Sequence, residues 1–316
     1  MSALRVLLSL VAAAAAAFPF HAQPLAQDPA PKLEVLRFSG IPDADKKDLS
    51  KQYEVVSAYL SKELGLRVEF VNVPDYNGAV TSLAANKIDF AWLGGVTAVQ
   101  SEERTKNAVT FIAARDTDLK FKSYFIASQA LVESGRFKKL ESLDYGTLEQ
   151  LKALAPALKQ SSFTFGDKLS TSGHFMPRHF LTEAGLDPES AFHGKPGYQL
   201  QGGHSATLKA VASGAFDVGV LNYASWEKAD DATKAAAPVI AVSPSFVDYC
   251  WVAHNRVGKE TIAKLRAAFL QLDPKNPAHE PVLKVFSASK FVDAEPKLWD
   301  GMRAVMKAAR ERGIVE

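Results

Sequence analysis

The chain has 316 residues, and 47% of them are hydrophobic, which is enough to fill the core of one large domain or two medium-sized ones. Its formal net charge is only +2, with basic residues scattered along the whole chain. This pattern excludes the basic patch of a protein that binds nucleic acid or a membrane surface, so we expect neither partner.

The first 26 residues are typical of a secretory signal peptide followed by a polar linker. Arg5 precedes an apolar run, Val6 to Phe18, that is too short to span a membrane. We expect cleavage within residues 17–26 and export to a periplasm. Cys250 is the one cysteine of the chain and lies in an apolar run, so no intramolecular disulfide can form and we expect a buried thiol.

Strands and helices alternate along the next part of the chain. The predicted strands are 32–39, 67–73, 88–93 and 108–114, and the predicted helices are 46–64, 76–85 and 97–103. Short connections between alternating strands and helices indicate an α/β fold with a parallel sheet wrapped by helices.

The extended run 121–127 is interpreted as a crossing into a second lobe, where the alternation starts again. The predicted strands there are 162–165, 198–201, 216–221 and 239–242, and the predicted helices are 148–158, 174–184, 206–213 and 222–237. A second extended run, 248–254, is interpreted as the return crossing, and helices 259–272, 281–286 and 296–312 end the chain. We therefore expect residues 27–122 and 250–316 to form lobe 1 and residues 123–249 to form lobe 2, joined as a clamp that can close on a ligand.

A cluster of hydroxyl residues follows predicted strand 162–165. Pro177 lacks an N–H and is tolerated in the first turn of a helix, which places the start of the next helix near residues 172–174. Ser170, Thr171 and Ser172 would then lie where free backbone N–H groups converge and the helix dipole is positive. Such hydroxyls can hold a small tetrahedral oxyanion without a salt bridge. The alternative is an ordinary N-cap, where Ser and Thr are preferred whether or not anything binds.

Other candidate side chains also follow predicted strands, at the sheet edge where ligands of α/β proteins bind. His204 can donate a hydrogen bond to an oxyanion, and its alternative is an exposed loop histidine. Tyr76 and Trp92 can wall a pocket, and their alternative is packing in the core or at its rim. Asp248 would place a negative group beside the cleft, and its alternative is a solvated loop acid.

Signatures of catalysis and of metal binding are weak in this sequence. It contains neither a Gly-x-Ser-x-Gly elbow nor a Walker motif. His174 and His179 are five residues apart on a predicted helix and diverge, so they do not form a two-ligand metal face. We expect no enzyme, no metal and no cofactor, and an enzyme on the same scaffold stays an alternative that requires a nucleophile–base pair.

Both predicted lobes carry ordered motifs, at 73–76, 87–94, 165–173, 203–206, 210–214 and 217–219. These motifs resemble those of the periplasmic phosphonate-, phosphate- and phosphite-type solute-binding proteins of ABC importers. The resemblance covers nearly all of the mature chain and implies a type II periplasmic-binding fold without catalysis. It also implies a small oxyanion as ligand and a permease and ATPase complex of the inner membrane as partner, and we expect a monomer.

The resemblance assigns roles by position. Ser170, Thr171, Ser172 and His204 would hold the oxyanion, and Tyr76 matches the pocket tyrosine of the opposite lobe. On the pocket wall, Phe121 lies near a position where the family often has Tyr. The same wall is expected to include Trp92, Asn222 and Tyr223. The local sequences Trp-Leu-Gly-Gly and Leu-Asn-Tyr, which contain these residues, resemble those of a sub-branch of the family described as selenate binders.

The substrate is expected to be a plain oxyanion. Asp248 matches an acid that faces the substrate amine in aminoalkylphosphonate binders. The second acid of those binders is missing, because no acid follows predicted strand 216–221 before Glu227. An unpaired ammonium in a closed cleft would be costly. A selenate binder and a ligand-sensing subunit of a signalling system stay alternatives, and segment 144–160, longer than is usual in the family, has no functional interpretation.

Overall fold

Two β-sheets organise the chain in the computed structural model, which describes residues 34–43 and 46–314, with only the backbone described at 46–48. The predicted signal peptide lies outside the described residues. In chain order the strands are β1 (Val35–Gly40), β2 (Arg67–Phe70), β3 (Phe90–Leu93), β4 (Val109–Arg115), β5 (Ser123–Ala127), β6 (Phe163–Phe165), β7 (Gly197–Tyr198), β8 (Val218–Asn222), β9 (Val239–Val242), β10 (Cys250–His254) and β11 (Phe291–Asp293).

Helices pack against both sheets. In chain order they are α1 (Lys46–Leu64), α2 (Tyr76–Ala84), α3 (Gly95–Arg104), α4 (Gln129–Glu133), α5 (Leu148–Ala153), α6 (Ala155–Leu158), α7 (Met176–Glu183), α8 (Gly203–Ala212), α9 (Tyr223–Glu227), α10 (Asp231–Ala236), α11 (Lys259–Leu270), α12 (Glu280–Phe286) and α13 (Asp300–Glu311). A π-helical turn, Thr171–Phe175, leads directly into α7. Within the described residues, no helix is both long enough and apolar enough to cross a membrane.

The first sheet has the strand order β11-β4-β10-β3-β1-β2, and the second has the order β7-β6-β8-β5-β9. Strands β1, β2 and β3 run parallel, as do β6, β7 and β8. Strand β10 runs antiparallel to both of its neighbours, and so does β5. The prediction of parallel sheets is therefore wrong for these strands, because β5 and β10 carry the chain from one sheet into the other and enter from the opposite end.

Two predicted helices are each broken in two. The predicted helix 148–158 divides into α5 and α6, with a proline in the first turn of α6. The predicted helix 222–237 divides into α9 and α10, because the Asp230 side chain accepts a hydrogen bond from Thr233 N–H and caps a new helix. Helix α4 and strand β11 were not predicted, since both are short and carry little periodicity.

The segment before α5 covers an edge of the second sheet. Strand β9 is the last strand on that side. Leu140 N–H donates to the Val239 carbonyl (2.9 Å), and Gly146 N–H donates to the Ser243 carbonyl (3.2 Å). These bonds satisfy backbone groups that an uncovered edge strand would expose. This gives a structural role to the beginning of segment 144–160.

The two sheets belong to one compact unit and approach each other closely at the ends of their strands. Gly203, at the start of α8, has a φ of +52°, and a Cβ atom there would lie 2.5 Å from the Asp43 Cα, in the loop after β1. Glycine is thus required both by the backbone conformation and by the contact between the sheets. The candidate site lies in this narrow gap.

Candidate functional site

The helix after β6 begins at the hydroxyl cluster. Its π-helical turn starts at Thr171, one residue before the predicted range, and the Ser170 hydroxyl accepts a hydrogen bond from Gly173 N–H (2.9 Å). The backbone N–H groups of Thr171 and Ser172 have no hydrogen-bond acceptor among the described residues. This helix end therefore presents free donors and the positive end of the helix dipole.

The three hydroxyls of the cluster have different neighbours. Ser170 caps the helix. The Thr171 Oγ1 instead accepts a hydrogen bond from Val96 N–H (3.0 Å) at the start of α3, the helix that follows β3 of the first sheet. The Ser172 side chain lies beside Asp248. Ser170 and Thr171 act as acceptors in these contacts, so each hydroxyl keeps an O–H hydrogen to donate, and that of Thr171 lies beside the Asp248 carboxyl.

His204 is buried, and its hydrogen bonding fixes its tautomer. Its Nδ1 accepts a hydrogen bond from Asn222 N–H (3.2 Å), so the proton of the neutral ring lies on Nε2. The Nε2 atom is buried and has no partner within the described residues. Burial lowers the pKa of His204 to about 3, so the ring is a neutral donor at physiological pH.

Asp248 is buried in the return crossing between the sheets. Its Oδ1 accepts a hydrogen bond from Gly95 N–H (3.1 Å), and its Oδ2 is buried without a partner in the described part of the chain. Burial raises the pKa of Asp248 to about 7, and the nearby Thr171 and Ser172 hydroxyls offset part of that rise. Near neutral pH this carboxyl can therefore either accept a proton from a ligand or donate its own.

Tyr76 lies in the first turn of α2, behind the Asp75 cap, whose Oδ1 accepts a hydrogen bond from Gly78 N–H (2.7 Å). The Tyr76 hydroxyl faces the side chain of Ser170, which follows β6 of the second sheet. The two hydroxyls do not form a well-aligned hydrogen bond. Burial raises the pKa of Tyr76 well above its ordinary value, so the hydroxyl keeps its proton and is available as a donor.

These contacts bring six of the predicted residues together, and we call this group of side chains the cradle. Its members are Tyr76, Ser170, Thr171, Ser172, His204 and Asp248. No member of the cradle is more than 3% exposed. Among the described residues, the groups that dominate the pKa values of Tyr76, His204 and Asp248 include no lysine or arginine. Because His204 and Asp248 are buried, the alternatives of an exposed loop histidine and a solvated loop acid are wrong.

The other predicted wall residues lie next to the cradle. Trp92, Phe121 and Asn222 line an adjoining cavity of about 310 Å³ between the two sheets. The Tyr223 ring packs against Phe121, with ring centroids 4.9 Å apart, and is not among the residues that line this cavity. Glu227, the first acid after β8, accepts a hydrogen bond from the Tyr124 hydroxyl (2.9 Å).

Three of the polar residues that line this cavity and were not predicted are Asp43, Arg115 and Tyr249. Tyr249 donates a hydrogen bond through its hydroxyl to Asp43 Oδ2 (3.1 Å). Arg115 is buried at the end of β4, and its guanidinium bonds both carboxylate oxygens of Asp118 (2.7 and 2.6 Å). No sequence motif marks Tyr249 and Asp43, because their contact joins residues 206 positions apart. Within the described residues no group of three or more His, Cys, Asp or Glu side chains is placed to hold a metal.

Comparisons with known proteins place the chain among transport proteins. The family model described as "ABC transporter, phosphonate, periplasmic substrate-binding protein" matches residues 38–299. A probable ABC transporter phosphite binding protein, PhnD1 of Prochlorococcus marinus (strain MIT 9301), is 34% identical over 86% of this chain and 89% of its own length. The phosphate-import protein PhnD of Mycolicibacterium smegmatis is 25% identical over 75% of this chain and 72% of its own length.

Solved structures agree with this placement. The structure of the Prochlorococcus marinus PhnD1 in complex with methylphosphonate matches with a TM-score of 0.77 and 34% identity, covering 89% of this chain and 99% of that one. A binding protein component of an ABC phosphonate transporter from Pseudomonas aeruginosa matches with a TM-score of 0.71, over 87% of this chain and 86% of that one. Its identity is 23%, so it shows the shared fold alone. The predicted α/β fold class is confirmed.

Proposed function

Because the chain belongs to the periplasmic phosphonate-type substrate-binding proteins of ABC transporters, we propose that it captures a small phosphorus oxyanion in the cradle. It would then deliver this ligand to a permease and ATPase complex in the inner membrane. The known relatives support this class of ligand, since one is described as a phosphite binding protein and another as a phosphate-import protein.

One observation supports the cradle as the binding site more than any other. Tyr76 Oη, His204 Nε2 and Asp248 Oδ2 come from three separate elements and surround the same helix start, yet each is buried without a hydrogen-bond partner among the described residues. An unsatisfied buried polar group costs about 1–3 kcal/mol. An oxyanion between them would accept hydrogen bonds from Tyr76 and His204 and would remove these costs on binding.

The chemistry of the cradle favours an oxyanion that carries a proton. Asp248 Oδ2 can accept a hydrogen bond from an acidic O–H of the ligand, and its pKa of about 7 allows the two groups to share a proton near neutral pH. Phosphite, phosphate and methylphosphonate bring such a proton, whereas sulfate and selenate are fully ionised and can be bound without like-charge repulsion only when Asp248 is itself protonated. We therefore favour phosphorus oxyanions over selenate.

We also infer that the molecule works as a clamp. Lobe 1, residues 27–122 and 250–316, would hold the first sheet, and lobe 2, residues 123–249, the second. The Phe121–Phe246 bridge pairs the start of the first crossing with the chain just before the second, which suits a hinge. The contact between Thr171 and Val96 N–H would join the lobes only when they are together, so in this proposal the arrangement described here is the closed one.

Transport is favoured over the other activities considered. No serine, threonine or cysteine among the described residues donates a hydrogen bond to a histidine, so no nucleophile–base pair there argues for the enzyme alternative. A sensing subunit would share this fold, and neighbouring genes for a permease rather than a histidine kinase would separate the two. We propose a monomer in the periplasm, exported by its N-terminal leader.

The proposal is tested by calorimetric titration with phosphite, phosphate, methylphosphonate, aminoethylphosphonate, sulfate and selenate. We expect micromolar or tighter binding of at least one of the first three ligands, and weaker binding of the last three. A triple variant, Ser170→Ala, Thr171→Val and Ser172→Ala, should lose detectable binding, because each hydrogen bond to a charged group contributes about 1.5–3 kcal/mol.

The matched control is Thr147→Ala, since Thr147 caps α5, where its hydroxyl accepts a hydrogen bond from Gln150 N–H (3.3 Å). This variant should lose about 1 kcal/mol of stability, as any lost cap does, with unchanged affinity. Oxyanion binding that survives in the folded triple variant would refute the cradle as the site.

A further inference from the structure

The Tyr249 side chain lies where the cavity adjoins the cradle. Its ring lines the cavity of about 310 Å³, a volume within the range of small-molecule pockets, roughly 300–1,000 Å³. Burial raises the pKa of its hydroxyl, and the neighbouring Asp43, Tyr76 and Asp248 raise that pKa further. Tyr249 therefore lines the cavity and is linked through Asn222 to the cradle, because Asn222 bonds the Tyr249 hydroxyl through Nδ2 and His204 Nδ1 through its backbone N–H.

Hydrogen bonds hold the Tyr249 hydroxyl from two sides. It donates to Asp43 Oδ2 (3.1 Å) and accepts from Asn222 Nδ2 (3.2 Å). The ring stacks on Trp92, with centroids 5.6 Å apart and planes 16° apart, and the Arg115 guanidinium lies 5.2 Å from its centroid. The ring therefore cannot turn aside without breaking both hydrogen bonds and a stacking contact.

The two hydrogen bonds also join the two sheets. Asn222 ends β8 of the second sheet, whereas Asp43 follows β1 of the first. The Asn222–Tyr249–Asp43 bridge is thus complete only when the sheets are together. A ligand group that entered the space of the Tyr249 ring would prevent the bridge from forming and would oppose closure.

We propose that Tyr249, held by Asn222 and Asp43, limits the size of the group that the bound oxyanion carries. This inference rests on the proposed function. On this proposal a hydrogen, a hydroxyl or a methyl group on phosphorus is accepted, whereas a longer alkyl or aryl group meets the Tyr249 ring. Shortening this side chain would give such a group access to the cavity that the ring lines.

The test is a titration of the full chain with methylphosphonate, propylphosphonate and phenylphosphonate. In the wild type, affinity should fall about 100-fold or more from the methyl to the larger ligands. In Tyr249→Ala, the ratio of the affinity for methylphosphonate to the affinity for the larger ligands should shrink to about tenfold or less, because the cavity then accepts the larger group. Tyr249→Leu keeps more of the apolar packing and should narrow the ratio in the same direction if the alanine variant does not fold.

The control is Tyr59→Leu, another buried tyrosine, whose hydroxyl donates to the Ala268 carbonyl (2.5 Å) away from the cleft. It should keep the wild-type ratio. Wild-type protein that binds propyl- and methylphosphonate equally would overturn the inference, and so would folded Tyr249 variants with an unchanged ratio. In both cases methylphosphonate still binds, so the proposed function stands, whereas a wild type that binds no oxyanion overturns both.

Discussion

Replacing His204 with phenylalanine tests the cradle at a single atom. The substitution keeps a planar ring in the buried space and removes the Nε2–H donor that has no partner in the described residues. If this donor bonds the oxyanion, its loss removes one hydrogen bond to a charged group, worth about 1.5–3 kcal/mol. We therefore expect the dissociation constant for the preferred oxyanion to rise about 10- to 150-fold.

The stability of the unliganded protein should change less than the affinity does. The variant leaves Asn222 N–H without its acceptor, which costs stability, but it also removes a buried donor that is itself unsatisfied. These two effects oppose each other. Calorimetric titration gives the affinity, and urea unfolding without ligand gives the stability.

His174→Phe is the matched control for this experiment. His174 is also buried, and burial lowers its pKa to about 3, as it does for His204. Its Nδ1 is bonded to the Lys168 carbonyl (2.8 Å), which holds the ring within its own loop and helix. This variant should lose stability without losing affinity. Equal affinities for His204→Phe and the wild type would refute the assigned role. A loss of affinity in His204→Phe that appears only below about pH 5 would also refute it, since the wild-type ring is neutral above that pH and its role as a donor should be seen there.

Two further predictions concern Asp248 and the contact between the sheets. Burial raises the pKa of Asp248 from 3.8 to about 7, so between these pH values the folded protein holds a proton that the unfolded chain releases. The free energy of unfolding without ligand should therefore fall as the pH rises through this range. Urea unfolding at both ends of this pH range should show a smaller fall in the free energy of unfolding for Asp248→Asn than for the wild type. An identical fall in both proteins would contradict the raised pKa of Asp248. A Cβ at Gly94 would lie 3.0 Å from Thr171 Oγ1 and 3.2 Å from Asp248 Oδ1, so Gly94→Ala should weaken oxyanion binding about tenfold. Gly301→Ala, where a Cβ meets nothing within 4 Å, is its control and should bind as the wild type does.

Sequence reasoning was strongest where one pattern is local and repeated. Helix α1 and strand β9 have the predicted bounds, because apolar spacing and a following glycine or polar turn define them without reference to the rest of the fold. The start of the helix at Thr171 was predicted to within a residue from a proline and three hydroxyls. These signals lie within a few residues of the feature they predict.

The parts that sequence could not supply depend on distant contacts. Tyr249 and Asp43 are separated by 206 residues, and Tyr249 lies in an apolar run like any core tyrosine. The direction of β10 depends on how the chain returns from the second sheet, and no property of its own residues records it. The family resemblance supplied the order of the site residues, but it gave no hydrogen-bond partner for any of them.

The six cradle side chains include no lysine or arginine, and this has a consequence for the conditions in which the protein works. A site built on exposed lysines weakens as salt rises, because the screening length is only about 10 Å at 0.1 M. Here hydroxyls, an imidazole, a carboxyl and a helix start act in a site whose side chains are at most 3% exposed. Capture should therefore be nearly independent of ionic strength, which suits a compartment whose salinity follows that of its surroundings.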